Sequence, residues 1–312
     1  MKKYIRIARP DHWIKQLFII PGVVCAIALA TSISVVTDIG FWIRFVVGFL
    51  STCCIASANY VINEWLDAEF DKFHPVKKHR SVVENDLKKS IVYAMYIGLT
   101  IVGFLLGYFV SVPFLLMQVW LWVMGVFYNV KPVRTKDIPF VDVLTESLNN
   151  AIRLLMGWFI VTSDFLPPSS IIIGYWLAGA FLMATKRYSE YRMIGDPELA
   201  AKYRKSFKGY TEHSLLLSAF FYAMCSVFLV GIFLIKYRVE LLLIMPFIIG
   251  LFCYYFGISF KEDSAAQKPE KLYREKGLMV YVLLLIVVFV VLMYVDIPGL
   301  EILVSDALVK LR

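Results

Sequence analysis

Residues 41–71 read FWIRFVVGFLSTCCIASANYVINEWLDAEFD, an apolar run that ends in a cluster of acidic side chains. A helix needs roughly 20 apolar residues to cross ~30 Å of hydrocarbon. Residues 41–66 reach that length, and Arg44 and Glu64 are their only charged residues. The stretch therefore predicts a transmembrane helix that delivers carboxylates to one surface of a membrane.

Runs of the same kind recur along the chain. Hydrophobic residues make up 60% of the 312 residues and charged residues only 18%, which is more apolar sequence than a soluble core can bury. The runs do not alternate with the period of two that a transmembrane β-barrel requires. We predict an all-α, polytopic membrane protein of about nine transmembrane helices, forming a single transmembrane domain over 1–312. The predicted spans are 13–36, 41–66, 89–110, 112–130, 138–162, 169–190, 214–235, 238–259 and 277–295.

Basic residues indicate the orientation of the spans. Most of the 32 Lys and Arg residues stand before the first predicted span or in the links that follow even-numbered spans. By the positive-inside rule, the N-terminus and these loops are cytoplasmic and the C-terminus is outside. We expect a multi-pass protein of a bacterial-type inner membrane. The net charge of +8 thus reflects membrane topology, and we expect membrane lipids but no nucleic acid among its partners.

The acidic end of the second span has the spacing of a metal site. Asn63, Asp67 and Asp71 are four residues apart, so they share one face of a continuing helix, with Glu64 beside them. Hard oxygen ligands in an incomplete set suit Mg²⁺, which completes its coordination with water and substrate phosphates. We predict Mg²⁺ as cofactor and Asn63, Glu64, Asp67 and Asp71 as its ligands.

A basic cluster follows the acidic residues at once. Lys77, Lys78 and Arg80 come within ten residues of Asp71, and side chains of this kind bind phosphate oxygens. A metal, phosphates and a site at the membrane surface together indicate transfer chemistry on a lipid phosphate or diphosphate. Each single cation could equally be a solvated anchor at the lipid headgroups.

These residues resemble the UbiA superfamily of intramembrane transferases. Residues 63–71 are similar to its NDxxDxxxD motif, with Glu64 in place of the first Asp. Residues 9–16, RPDHWIKQ, resemble the RPxxWxKN segment of the polyprenyl-phosphate phosphoribosyltransferase branch, and residues 71–80 resemble its DxxHPxKxxRP segment. Residues 128–134 with Asp142 look like the YSxxxKR…D loop of the superfamily. The resemblance implies a UbiA-like bundle of nine helices.

The second motif distinguishes the branches. Prenyl-diphosphate transferases of the superfamily carry a second DxxxD, whereas residues 186–190 here read KRYSE. Two cations suit an enzyme that binds two anionic substrates. The resemblance therefore implies transfer of phosphoribose from phosphoribosyl pyrophosphate to a polyprenyl phosphate, with release of diphosphate. Asp67, Asp71 and Glu190 are the predicted catalytic residues. The predicted substrate-binding residues are Lys15, Lys77, Arg80, Lys131, Arg134, Arg153, Lys186, Arg187 and Tyr188.

Three points stay open in the sequence. A prenyltransferase that moves an isoprenoid from its diphosphate to an aromatic or polar acceptor would share the first motif, and a transporter would instead line a path through the midplane with charge. Residues 192–213 read either as an amphipathic cap over the site or as a helix resting on anionic lipid. The oligomeric state is also undecided, a homo-oligomer included.

Overall fold

The computed structural model describes residues 2–71, 80–85, 87–261, 264–267, 272 and 275–303, without the side chains of 2, 69, 70 and 301. Every regular element within these ranges is helical, which confirms the predicted all-α class. Its α-helices are α1 Lys2–Ile7, α2 Ile20–Ala30, α3 Ile39–Asp71, α4 Ser81–Glu84, α5 Lys89–Val110, α6 Val112–Asn129, α7 Val141–Val161, α8 Ser169–Ile194, α9 Pro197–Tyr203, α10 Glu212–Tyr237, α11 Met245–Ser259 and α12 Lys276–Tyr294. Its 3₁₀ helices are Pro10–Ile19, Ile33–Thr37, Thr135–Asp137, Lys205–Gly209, Val239–Ile244, Ala265–Gln267 and Leu300–Leu303.

The long helices agree with the predicted spans, with two differences. Among the described residues, eight helices are long and apolar enough to cross a membrane. The predicted span 138–162 is the 21-residue helix α7. It is not among the eight, and it carries the polar residues Asp142, Glu146, Asn149, Asn150 and Arg153. The predicted span 13–36 begins as a 3₁₀ helix at Pro10 and its α-helix ends at Ala30.

The chain divides into two compact units. The first contains residues 1–167 and 196–211, and in it α3 packs on α5 and α6 while α2 packs on α7. Helices α2 and α7 approach closely at two glycines. A Cβ atom on Gly22 would lie 1.9 Å from the carbonyl oxygen of Leu154, and one on Gly157 would lie 1.9 Å from that of Ile19. Any side chain at either glycine would push the two helices apart.

The second unit contains residues 168–195 and 212–312. Helix α8 packs along α10, and α11 contacts α8, α10 and α12. The hydroxyl of Ser226 on α10 donates to the carbonyl oxygen of Gly174 on α8 at 2.9 Å. Interhelical hydrogen bonds of this kind help to hold helices together within a bilayer.

The C-terminal end of α3 is fixed by a small core within the first unit. Ile7, Val61, Leu87 and Val92 are all buried and form one apolar cluster that joins the ends of three helices. The hydroxyl of Ser81 donates to the carbonyl oxygen of Lys3 at 2.9 Å. This packing holds the acidic residues of α3 in a defined place.

Candidate active site

Two carboxylates of α3 face a group of cations. Asp67 and Asp71 lie one helical turn apart, so their side chains share a face of α3. Asp67 Oδ1 accepts from Arg134 Nη2 at 2.8 Å and from Lys136 Nζ at 2.6 Å. Asp71 is buried, and its Oδ2 accepts from Arg80 Nη1 at 2.5 Å. Both predicted catalytic carboxylates thus hold cations from other segments.

The loop between α6 and α7 supplies the cations at Asp67. Arg134 has a φ of 34°, in the left-handed region, and its Nε also donates to Asp137 Oδ2 at 3.0 Å. Lys136 is buried. Burial lowers the pKa of Lys136 to about 8, and Arg134 adds to this lowering while Asp67 opposes it. Two cations, Arg134 and Lys136, thus share the single carboxylate of Asp67.

An asparagine pair joins the helix to this loop. Asn63 Nδ2 donates to Asn129 Oδ1 at the end of α6, and the same oxygen accepts from Lys136 Nζ at 3.0 Å. Asn63 therefore shares a hydrogen-bond network with Asp67 through Lys136. The residues Asn63 and Asp67, predicted as metal ligands, lie in one network.

Glu64 has a different environment from the other acids of its motif. The residue is only 3% exposed, and its Oε2 accepts from Arg9 Nε at 3.2 Å. Its Oε1 accepts from the backbone N–H of Val82 at 3.3 Å. These contacts tie α3 to the N-terminal segment and to α4, and Glu64 does not line the cavity described below. The role of Glu64 as a metal ligand therefore stays a prediction, and its hydrogen bonds to Arg9 and Val82 do not support it.

A cavity of about 540 Å³ lies beside Asp67 and Asp71, entirely within the first unit. The segment 196–211, here called the cap, forms much of its wall. Six cationic and four carboxylate side chains line the cavity, so its walls carry a surplus of positive charge. The lining residues are Asp67, Asp71, Arg134, Lys136, Asp137, Glu198, Ala201, Lys202, Tyr203, Arg204, Lys205 and Lys208.

The donor set suits one kind of metal. Within the described part of the chain, no three His, Cys, Asp or Glu side chains gather as a metal-binding group. Asp67 and Asp71 with the amide of Asn63 offer hard oxygen ligands, too few for a closed structural site. Such an incomplete set fits Mg²⁺, which retains waters and binds substrate phosphates.

Four other predicted residues of the first unit are not part of the cavity lining, and these are Lys15, Arg80, Lys131 and Arg153. Lys15 is half-buried, with its Nζ 3.3 Å from His12 Nδ1. Lys131 is exposed. Arg153 on α7 donates from Nε to Gln16 Oε1 at 2.8 Å. Lys77 falls within 72–79, outside the described residues.

The second motif belongs to the second unit and has its own ion pair. Arg187 is fully buried, and its Nη1 lies 3.5 Å from Glu190 Oε2, one turn further along α8. Tyr188 is buried and donates from its hydroxyl to Glu212 Oε1 at 3.3 Å. Lys186 is half-buried. This segment therefore presents a neutralised arginine and a more accessible lysine.

Sequence reasoning missed most of the cavity lining, which includes Asp137 and the residues of the cap. Lys136, Asn129 and Arg204 were not among the predicted ligands, although all three bear on the cavity or its network. The available signal was the loop sequence itself, since Lys136 stands two residues after Arg134. Lys131 was predicted because it matches the loop motif, but it is exposed, whereas Lys136 is buried.

Comparison with known proteins gives three kinds of match. A family model described as the UbiA prenyltransferase family matches residues 17–283. Decaprenyl-phosphate phosphoribosyltransferase from Corynebacterium glutamicum is 24% identical over 220 residues, which are 66% of this chain and 59% of the relative. The protein of the same name from Mycolicibacterium smegmatis is 25% identical over 214 residues, 68% of this chain and 63% of the relative. The matches thus span about three fifths of these curated relatives' length.

Solved structures show the same fold. A UbiA homolog from Archaeoglobus fulgidus bound to GPP and Mg²⁺ has a TM-score of 0.68 at 20% identity, covering 94% of this chain and all of that one. The family model, for its part, covers well over half of the chain. The chain therefore belongs to the UbiA prenyltransferase family and is an integral, multi-pass membrane protein.

Proposed function

We propose that this protein transfers phosphoribose from phosphoribosyl pyrophosphate to a polyprenyl phosphate and releases diphosphate. The observation that carries the proposal is the cavity beside the two carboxylates of α3, which is lined by six cationic side chains and four carboxylates. A prenyl diphosphate brings one diphosphate group. The phosphoribosyl donor brings a diphosphate and a separate phosphate, so it gives more of these cations a partner.

Asn63, Asp67 and Asp71 are the proposed ligands of Mg²⁺. When bound, the ion neutralises the diphosphate and so makes it a better leaving group. The two carboxylates are already arranged on one helix face, and Asn63 is held beside them by Asn129. Glu64 is left out of the set because it is engaged by Arg9 and Val82.

The cations of the cavity bind and orient the two substrates. Arg134 and Lys136 are held by Asp67 at 2.8 Å and 2.6 Å. This contact positions both cations to donate hydrogen bonds to phosphate oxygens. Arg204 of the cap acts in the same way, and so does Arg80, which is held by Asp71 but does not line the cavity. We assign to Lys136 the role predicted for the exposed Lys131.

The reaction needs alignment more than proton transfer. A phosphate oxygen of the polyprenyl phosphate forms a bond to C1 of the ribose, and the bond from C1 to the diphosphate oxygen breaks. The attacking phosphate is already anionic near neutral pH, so no strong base is required. Fixed positive charge and orientation therefore account for the catalysis.

The second motif is proposed to take part through its own charges. Lys186, Arg187 and Tyr188 are candidate substrate ligands, and Glu190 holds Arg187 at 3.5 Å. Lys15, Lys77 and Arg153 remain candidates from the sequence alone. Mutation of each, with separate kinetics for the two substrates, tests these roles.

The proposed orientation puts the cavity on the cytoplasmic side, where a soluble sugar diphosphate is available. The N-terminus and the loops that carry Arg80, Arg134 and the cap are then cytoplasmic, and the C-terminus is outside, in an inner membrane of bacterial type. Cysteine labelling tests this arrangement, since a cysteine in the cap and one at Asp164 should label from opposite sides. Labelling of both from one side would contradict it.

Prenyl transfer is the second candidate, and the structural neighbour bound to GPP and Mg²⁺ is the observation that favours it. Purified protein should be given labelled phosphoribosyl pyrophosphate with polyprenyl phosphate and, in parallel, labelled prenyl diphosphate with aromatic acceptors. We expect a labelled lipid only in the first reaction. A product only in the second would replace phosphoribosyl transfer with prenyl transfer.

A further inference from the structure

Three donors of the cap converge on one buried carboxylate. Asp142 lies in the first turn of α7 and has no exposure to solvent. Its Oδ1 accepts from Tyr210 Oη at 2.7 Å, and its Oδ2 accepts from Ser206 Oγ at 3.1 Å. Arg204 Nη1 lies 3.7 Å from the same Oδ2. A buried charge is stable only with such partners, so Asp142 and the cap depend on each other.

The surface around Asp142 fits the cap closely. The backbone N–H of Phe140 donates to Tyr210 Oη at 2.5 Å, and the two rings lie 4.8 Å apart. A Cβ atom on Gly209 would lie 2.5 Å from Pro139 Cγ, so a larger residue at this position would clash with the proline ring. Phe207 is 1% exposed. The cap is therefore docked by packing and by hydrogen bonds at the same place.

The docked cap carries much of the positive charge of the cavity. Lys202, Arg204, Lys205 and Lys208 all line it, and Lys205 Nζ lies 3.6 Å from Asp137 Oδ2. The helix of the cap, α9, has seven residues. Isolated helices shorter than roughly 12 residues are marginal in water. The placement of these four cations therefore depends on contacts such as those to Asp142.

We infer that Asp142 is a positioning residue for the anion-binding wall of the cavity. It touches no substrate in this scheme. It fixes the cap so that the cap's cations face the phosphates held at Asp67 and Asp71. The inference rests on the proposed function only in requiring a diphosphate-bearing ligand, which both candidate donors supply.

Binding of inorganic diphosphate with Mg²⁺ tests the inference without any transfer assay. The full-length protein in detergent would be titrated by calorimetry as wild type, Asp142→Asn and Tyr210→Phe. Glu146→Gln is the matched control, because Glu146 also lies on α7 and accepts from a tyrosine, Tyr128, at 2.8 Å. We expect affinity to fall roughly tenfold or more in Asp142→Asn, the effect of losing a charged hydrogen bond. A smaller loss is expected in Tyr210→Phe and none in the control.

Trypsin gives a second readout, since the cap contains four cleavable cations. Cleavage after Lys202, Arg204, Lys205 or Lys208 should be faster in Asp142→Asn and Tyr210→Phe than in the control variant. With whichever donor the wild type consumes, KM should rise while kcat changes by less than about twofold. If Asp142→Asn does not fold, Tyr210→Phe decides.

The outcomes separate this inference from the proposed function. Wild-type diphosphate affinity in both variants would overturn the inference, whether or not the cap is cleaved faster. If the wild type consumes neither donor, phosphoribosyl transfer is wrong, yet diphosphate binding and trypsin cleavage still decide the role of Asp142.

Discussion

The two motifs that bear charge in this chain use opposite arrangements. On α3, the carboxylates of Asp67 and Asp71 pair with cations that lie outside the helix, Arg134 and Lys136 at Asp67 and Arg80 at Asp71. On α8, the cation Arg187 is fully buried and meets a carboxylate, Glu190, from its own helix. The first motif offers carboxylate oxygens beside a cavity whose lining has more cations than carboxylates. The second offers fixed positive charge and only one acid.

This difference bears on the kind of substrate. Two symmetrical acidic motifs could hold metal ions on both sides of one diphosphate. Here the described residues provide acids for the proposed metal at α3, whereas α8 provides Lys186 and the neutralised Arg187. The contrast supports two separate anionic substrates, and the following variants are designed to break or refine it.

The largest effect is expected at the first motif. Asp67→Asn and Asp71→Asn should each abolish transfer, because each removes a proposed metal ligand. Loss of a ligand's outer hydrogen-bond partner alone typically costs roughly 10–100-fold in metal affinity or activity, so we expect a larger loss here. Steady-state transfer and Mg²⁺ titration measure it. Full activity in both variants would contradict the assignment of a Mg²⁺ site to Asp67 and Asp71.

A pair of lysines in one loop gives the next largest effect. Lys136→Gln should raise the KM for the donor by roughly tenfold or more, since Lys136 lines the cavity and a charged hydrogen bond is lost. Lys131→Gln is the matched control, because Lys131 is exposed and does not line the cavity. Kinetics of the two variants side by side measure the difference. Equal effects would show that the cavity is not the donor site.

At the second motif, the two cations should respond differently. Lys186→Gln should raise the KM for the sugar donor several-fold, because one weak charged contact to the donor is lost. Its Tm should change little. Arg187→Met should lower Tm, because Glu190 would keep a buried charge without its arginine. Donor kinetics and thermal unfolding in detergent separate the two effects. An unchanged KM in Lys186→Gln would exclude Lys186 as a donor ligand.

The smallest effect on activity is expected at Glu64, the acid whose partners are structural. Glu64→Gln should lower the free energy of unfolding by about 1–3 kcal/mol, because Arg9 and Val82 lose a charged acceptor. Its kcat and its Mg²⁺ requirement should stay near wild type. If Glu64→Gln lost activity as completely as Asp67→Asn, Glu64 would have to be counted among the metal ligands.

Periodicity along one helix was the part of the site that the sequence could predict. Asn63, Asp67 and Asp71 are spaced four residues apart, and a continuous α3 brings their side chains to one face. The long apolar runs predicted the helices for the same reason, since length and composition are local properties. Two spans depart from this pattern among the described residues. Helix α7 carries polar residues along its length, and the span 13–36 begins as a 3₁₀ helix and its α-helix ends at Ala30.

Contacts between distant segments could not be predicted. Glu64 is adjacent to Asn63 in sequence, yet its partner Arg9 is 55 residues away. Lys136 faces Asp67 because the loop turns at Arg134 in the left-handed region, a feature that no spacing rule reveals. The docking of the cap on Asp142 likewise joins residues more than 60 positions apart.

The most direct test follows labelled ribose phosphate from phosphoribosyl pyrophosphate to polyprenyl phosphate, in wild type and Asp67→Asn under identical detergent conditions. We predict a labelled lipid with wild type and Mg²⁺, none after chelation, recovery on adding Mg²⁺ back, and none with Asp67→Asn. Equal labelling by Asp67→Asn, or labelling that persists in chelator, would contradict a metal-assisted transfer at the α3 carboxylates.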